Sequence, residues 1–155
     1  MAFPTIDNST LISHSDLPSG LGYGAVQNIH FSKAITTAML ASGYVTAIAL
    51  MPANTRYLGI LYAKATDLDT NGSPALALDL GVAGVSVTTY DDVDCFLDGS
   101  TIGQAGTLTS AILFAGAGLL VPVPHYLTLT AATAAGTAAA GTFTLGMAVE
   151  LGASA

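Results

Sequence analysis

From Ala25 onward the chain alternates short apolar runs with clusters of turn-forming residues. Val26 to Ser32, Tyr44 to Met51, Tyr57 to Ala65, Ala75 to Val82, Ile112 to Val121, Tyr126 to Thr130 and Thr142 to Leu151 are rich in β-branched, aromatic and leucine residues at strand length. Pro52-Ala-Asn54, Asp69-Thr-Asn-Gly-Ser-Pro74, Asp98-Gly99 and Gly103-Gln-Ala-Gly106 separate them with turn chemistry. This pattern predicts an all-β fold, an antiparallel β-sandwich or jelly-roll-like barrel. Leu50, Leu58, Ile60, Leu78, Leu80, Leu127, Leu129, Phe143 and Leu145 are its expected core.

The first 25 residues read differently. They are rich in Ser, Asn, Asp, Gly and Pro, with neither helical nor strand periodicity, and predict an extended N-terminal arm over 1–25 ahead of a single domain over 26–155. An arm of this composition buries little of itself and orders only along another surface. Two segments are ambiguous. Ala131 to Gly141 is nearly all Ala, Thr and Gly, and suits a wide hairpin loop or one or two helical turns. A short helix also fits Lys33 to Leu40. No internal repeat, heptad run or charge block is visible.

Composition turns a fold expectation into one about assembly. Of 155 residues, 52% are hydrophobic and 8% charged, against about a quarter charged in ordinary globular chains. A monomer so poor in charge exposes apolar surface, which marks docking sites for other proteins. The net charge is −7, with Lys33, Arg56 and Lys64 the only Lys or Arg. Nucleic-acid binding is therefore not expected. Cys95 is the single cysteine, so neither a disulfide framework nor a multi-cysteine zinc site can form within one chain. The first residues lack the basic-then-apolar pattern of a secretory signal, which predicts synthesis in the cytoplasm. No Asp, Glu, Lys or Arg occurs from Gly99 to Val149, yet the purest apolar segment, Ala111 to Val123, is shorter than the roughly 20 residues of a membrane-spanning helix. The run His125-Tyr-Leu-Thr-Leu-Thr130 then alternates like a strand with one face in water.

Candidate chemistry is sparse. Gly20-Leu-Gly-Tyr-Gly-Ala25 matches the loose dinucleotide-loop pattern but follows Ser-Asp-Leu-Pro-Ser, which is no strand. Asp67-Leu-Asp69-Thr-Asn71-Gly72 opens like a calcium loop, but Leu78 occupies the twelfth position where a bidentate acid is needed. An ordinary turn explains it better. Asp91, Asp92, Asp94 and Asp98 around Cys95 match no cation-site spacing and predict a solvated loop or an acidic docking edge. His14, His30 and His125 are too scattered for a metal pair. Neither Cys95 with His30 or His125 nor Gly84-Val-Ser86 makes a convincing nucleophile. The expectation is no catalytic residue, no cofactor and no metal.

Ala49-Leu-Met-Pro-Ala-Asn-Thr-Arg-Tyr-Leu-Gly-Ile-Leu-Tyr62, Leu76-Ala-Leu-Asp-Leu-Gly-Val-Ala-Gly84 and Asp94-Cys-Phe-Leu-Asp-Gly99, with an acidic residue late in the last strand at Glu150, resemble small tailed-phage virion proteins over roughly residues 44–150. The resemblance is greatest to capsid decoration, or cement, proteins. It implies a homotrimer on the capsid surface of the virion, bound to the major capsid protein and gripping neighbours with its arm, without nucleic-acid or membrane contact. Phe3, Ile6, Leu11, Ile12, Leu17 and Tyr23 are then the expected partner-binding residues, because apolar and aromatic anchors dominate interface energetics. The scarcity of charge also suits a tail, head-fibre or spike-adjacent virion protein. A carbohydrate or host-surface binding module is the competing class, disfavoured by the lack of Trp, and a membrane-active protein the third.

Overall fold

The computed structural model describes residues 26–105, 108–112 and 117–152, with 108–112 described by backbone alone. The expected arm lies outside them, as do Phe3, Ile6, Leu11, Ile12, Leu17 and Tyr23, His14 and the Gly20–Ala25 motif.

The described residues form β1 (Val26–Ile35), β2 (Val45–Met51), β3 (Thr55–Ala65), β4 (Ala77–Gly84), β5 (Asp92–Ser100), β6 (Leu108–Ile112), β7 (Leu120–Val121), β8 (His125–Thr133) and β9 (Gly141–Leu151). All pairs are antiparallel. One sheet runs β1-β9-β3-β6, with β7 also on β3, and the second runs β2-β8-β4-β5. Set aside the two-residue β7 and the pairs β1–β9, β2–β8, β3–β6 and β4–β5 nest inside one another, as if one long hairpin had been rolled up. This is jelly-roll order, a double-sheet arrangement found in viral capsid and lectin domains. One continuous core fills the space between the sheets.

Seven of the nine expected core residues are buried there: Ile60, Leu78, Leu80, Leu127, Leu129, Phe143 and Leu145. Leu58 and Leu50 are not. Two bulges in β3, between Tyr57 and Gly59 and between Ile60 and Tyr62, insert Leu58 and Leu61 as extra residues. The buried side chains become Tyr57, Ile60 and Ala63, and both leucines face out, 37% and 38% exposed. A bulge at Ile48 likewise shifts β2, so that Met51 is buried and Leu50 half-buried.

Other differences are equally local. The expected strand Ile112 to Val121 is instead the end of β6 and all of β7. Lys33 to Ile35 extend β1, leaving a 3-10 turn at Thr37–Leu40. Ala131 to Gly141 finishes β8 and then makes a wide loop, bridged to Asp69 at Ala138. The half-exposed reading of 125–130 is overturned, since β8 sits between β2 and β4 with Thr128 and Thr130 also buried. The expected solvated loop around the aspartates is β5, an edge strand.

Candidate assembly surfaces

The motif residues that carried the resemblance meet in space. In the Pro52-Ala-Asn54 turn, Asn54 takes the left-handed conformation at φ 59° and the Thr55 hydroxyl donates to the Pro52 carbonyl at 2.8 Å. The chain thereby crosses from the second sheet to the first. Arg56 then faces Glu150 across β3 and β9, with Nη1 3.6 Å from Oε2. Asp79 of the Leu-Asp-Leu-Gly stretch accepts the Gly99 N–H at 2.7 Å, joining it to the Phe-Leu-Asp-Gly stretch. Burial raises the Asp79 carboxyl above its usual range, Asp98 and Asp94 add to this, and the Gly99 N–H opposes it.

Asp69 is a loop clamp. Its Oδ1 accepts the Asn71 and Thr137 N–H groups at 3.3 and 2.8 Å, and Oδ2 accepts those of Ala75, Leu76 and Gly136 at 2.8, 3.0 and 3.0 Å. The β3–β4 and β8–β9 loops are thus tied to one carboxylate. These bonds, that from Thr137 foremost, hold its pKa far below the usual carboxylate range against the opposing effect of burial. Both oxygens are spent on amides, so the calcium-like spelling here encodes a turn.

Between the sheets, His125 Nδ1 lies 2.9 Å from the Val123 carbonyl and Nε2 lies 2.7 Å from the Tyr57 hydroxyl. A carbonyl only accepts, so Nδ1 carries the proton and Tyr57 donates to Nε2. Burial keeps this imidazole neutral by lowering its pKa. Phe96 packs on Tyr57 with ring centroids 4.7 Å apart. Cys95, next to Phe96, has its thiol pushed up to about 12, first by burial and then by Asp92. With both imidazole nitrogens engaged and the thiol protonated, the Cys95 and His125 pairing lacks an activated nucleophile. His30 lies on the outer face of the first sheet, and Val85 and Ser86 form a bend after β4. Among the described residues no group of three or more His, Cys, Asp or Glu could hold a metal, and no helix is long and apolar enough to cross a membrane.

Two surfaces remain. The outer face of the first sheet is built on small residues of β9. His30 and Tyr62 are both register partners of Gly146 and close over it, His30 Nδ1 to Tyr62 Oη 3.2 Å, where a Cβ would collide with the Tyr62 ring and crowd His30. The β4–β5 corner is tightly held: Gly84 N–H donates to Asp91 Oδ1 at 2.6 Å, Asp91 N–H to Thr88 O at 3.1 Å and Val85 N–H to Pro124 O at 3.2 Å. Beyond it β5 carries Asp92, Asp94 and Asp98 along an edge with broken register. Carboxylates and bulges on an edge strand prevent another strand from adding there. Sequence reasoning missed this strand because four aspartates in eight residues read as loop. The alternation Val93, Cys95, Leu97, all half-buried, was the available signal.

No protein-family model and no curated protein matches this sequence. Among solved structures, a chain from the capsid of Ralstonia phage GP4 matches with a TM-score of 0.72 and 24% identity, covering 88% of this chain and 91% of that one. A chain from the cyanophage Pam1 capsid asymmetric unit matches with a TM-score of 0.64 and 27% identity, over 86% and 90%. The chain has the fold of phage virion structural proteins. In this capsid-chain fold the matched length takes in nearly all of both partners, so the likeness covers a whole domain and not one shared hairpin.

Proposed function

We propose that the chain is a capsid decoration protein: a non-enzymatic homotrimer that sits on the outer surface of a phage capsid and stabilises the shell by binding its major capsid protein. The observation that carries this reading is the match, over almost the full length of both partners, to chains from two phage capsids. The low charge and the outward leucines of β3 supply surface for protein contacts. A protein that binds the assembled shell and not its open form stabilises it by mass action, and many modest sites on a lattice add through multivalency. Residues 1–25 engage the neighbouring subunits, with Phe3, Ile6, Leu11, Ile12, Leu17 and Tyr23 as anchors. No nucleic acid or membrane takes part.

The test is cosedimentation with capsids stripped of this protein, using the full chain and a chain lacking residues 1–24. The full chain should pellet with capsids and raise the temperature at which they rupture, and the shortened chain should do neither. Equal binding by both would refute the arm's role. No binding by the full chain would refute the decoration reading itself.

A further inference from the structure

Among the described residues, six large apolar side chains are more than a third exposed, and they fall in two places. Val26, Leu58 and Leu61 belong to the first sheet, and the two leucines are the extra residues that the β3 bulges turn outward. Val85, Val87 and Tyr90, exposed by 46%, 40% and 38%, crown the β4–β5 corner. Charge divides along the same line. Arg56, Lys64 and Glu150 share the outer face of the first sheet with the leucines, whereas Asp91, Asp92, Asp94 and Asp98 flank the corner and its edge, with no described cation among them. The third cation, Lys33, is buried on the inward face of β1.

We propose that these two surfaces are the halves of one contact between copies of this chain: the outer face of the β1-β9-β3-β6 sheet of one copy receives the β4–β5 corner and acidic β5 edge of the next. Both halves carry exposed apolar side chains that a contact would cover, and the first-sheet face brings Lys64, with Arg56 already paired to Glu150, to an edge lined by carboxylates. Like-with-like docking would instead set the exposed Asp92, Asp94 and Asp98 of one copy against those of the next. Because the halves differ, the contact is heterologous, and such a contact closes into a ring or runs on as an open chain. A three-membered ring has to be built this way, since a two-fold, self-complementary patch makes only pairs. The inference rests on the self-assembly part of the proposed function and gives it an address.

The test is light scattering coupled to size-exclusion chromatography over a concentration series, on the full chain and on Lys64→Glu, Asp94→Lys and the double variant. Both positions are exposed, and circular dichroism verifies that each variant is folded. The wild type should be trimeric. Each single reversal should weaken association by about tenfold or more, as like charges now meet, and the double variant should recover most of the loss. Val87→Ser with Tyr90→Ser should weaken association without rescue by either charge change. Wild-type assembly by both single variants, or no recovery in the double, would overturn the contact while leaving the trimer standing. A monomeric wild type at every concentration would overturn both.

Discussion

Replacing Tyr57 with Phe removes one oxygen from the middle of the sandwich while keeping the ring that packs on Phe96. That oxygen donates to His125 Nε2 at 2.7 Å, and His125 is fully enclosed. Its loss leaves a buried acceptor without a partner, which costs about 1–3 kcal/mol. For a domain of this size that corresponds to a fall of roughly 3–10 °C in melting temperature. The assay is urea and thermal unfolding of wild type and Tyr57→Phe at one matched protein concentration, because the self-association proposed above would make the midpoint concentration-dependent. A difference below about 0.5 kcal/mol would refute the reasoning, as it would place the bond's net contribution beneath that of an average hydrogen bond. The same site sets a pH dependence. Burial holds the folded-state pKa of His125 below its ordinary 6.5. Below that pH the unfolded chain takes up a proton that the folded chain refuses, so His125 favours folding fully above about pH 6.5 and progressively less as pH falls toward the folded value. Wild-type stability should therefore decline between pH 7.5 and pH 5.

Asp69→Asn should lower the melting temperature at pH 7 and flatten the acid limb of stability against pH. The wild-type carboxylate contributes above its ordinary value of 3.8 and loses that contribution as pH falls toward its depressed folded value, so matching acid limbs in variant and wild type would count against the clamp. Gly81→Ala drives a Cβ into the backbone of Asp92 and Val93 and should cost about 1–3 kcal/mol or more, with faster hydrogen exchange across Asp92–Ser100; unchanged exchange there would show that β5 does not need the close approach. Cys95, with its thiol pushed up to about 12, should react with iodoacetamide at pH 8 at least about a hundredfold more slowly in the folded chain than in urea, and equal rates would contradict its environment.

Much of the fold is legible in the spacing of apolar runs. Strands β1, β2, β3, β4, β8 and β9 fall where periodicity and turn residues place them. What escapes is register. Period-two reasoning puts Leu58 on the same side as Ile60, and only pairing with β9 shows that Leu58 is itself an extra residue. β5 is hidden for a different reason: its aspartates are placed for an edge that must refuse a further strand, a requirement that exists only once the sheet does. At the site level, the calcium-like spelling around Asp69 marks a turn, with the Asn71 N–H on Asp69 Oδ1 and the Ser73 N–H on Asn71 Oδ1. The grip of Asp69 on Gly136 and Thr137, 67 and 68 residues away in sequence, has no local signal.

The nested pairing of strands fixes the order in which the molecule can be finished. β9, the last of the described strands, lies between β1 and β3 and exchanges hydrogen bonds with both. Until residue 151 is made, the first sheet has no centre: β1 has no neighbour in it, and the inward side chains Ile29 and Phe31 have no Met147 and Leu145 beside them. Contacts of such long sequence separation also make folding slow. Ribosomes that stop early would therefore release chains without a completed outer face, and under the contact proposed above such chains would be left out of assembly without any separate inspection step.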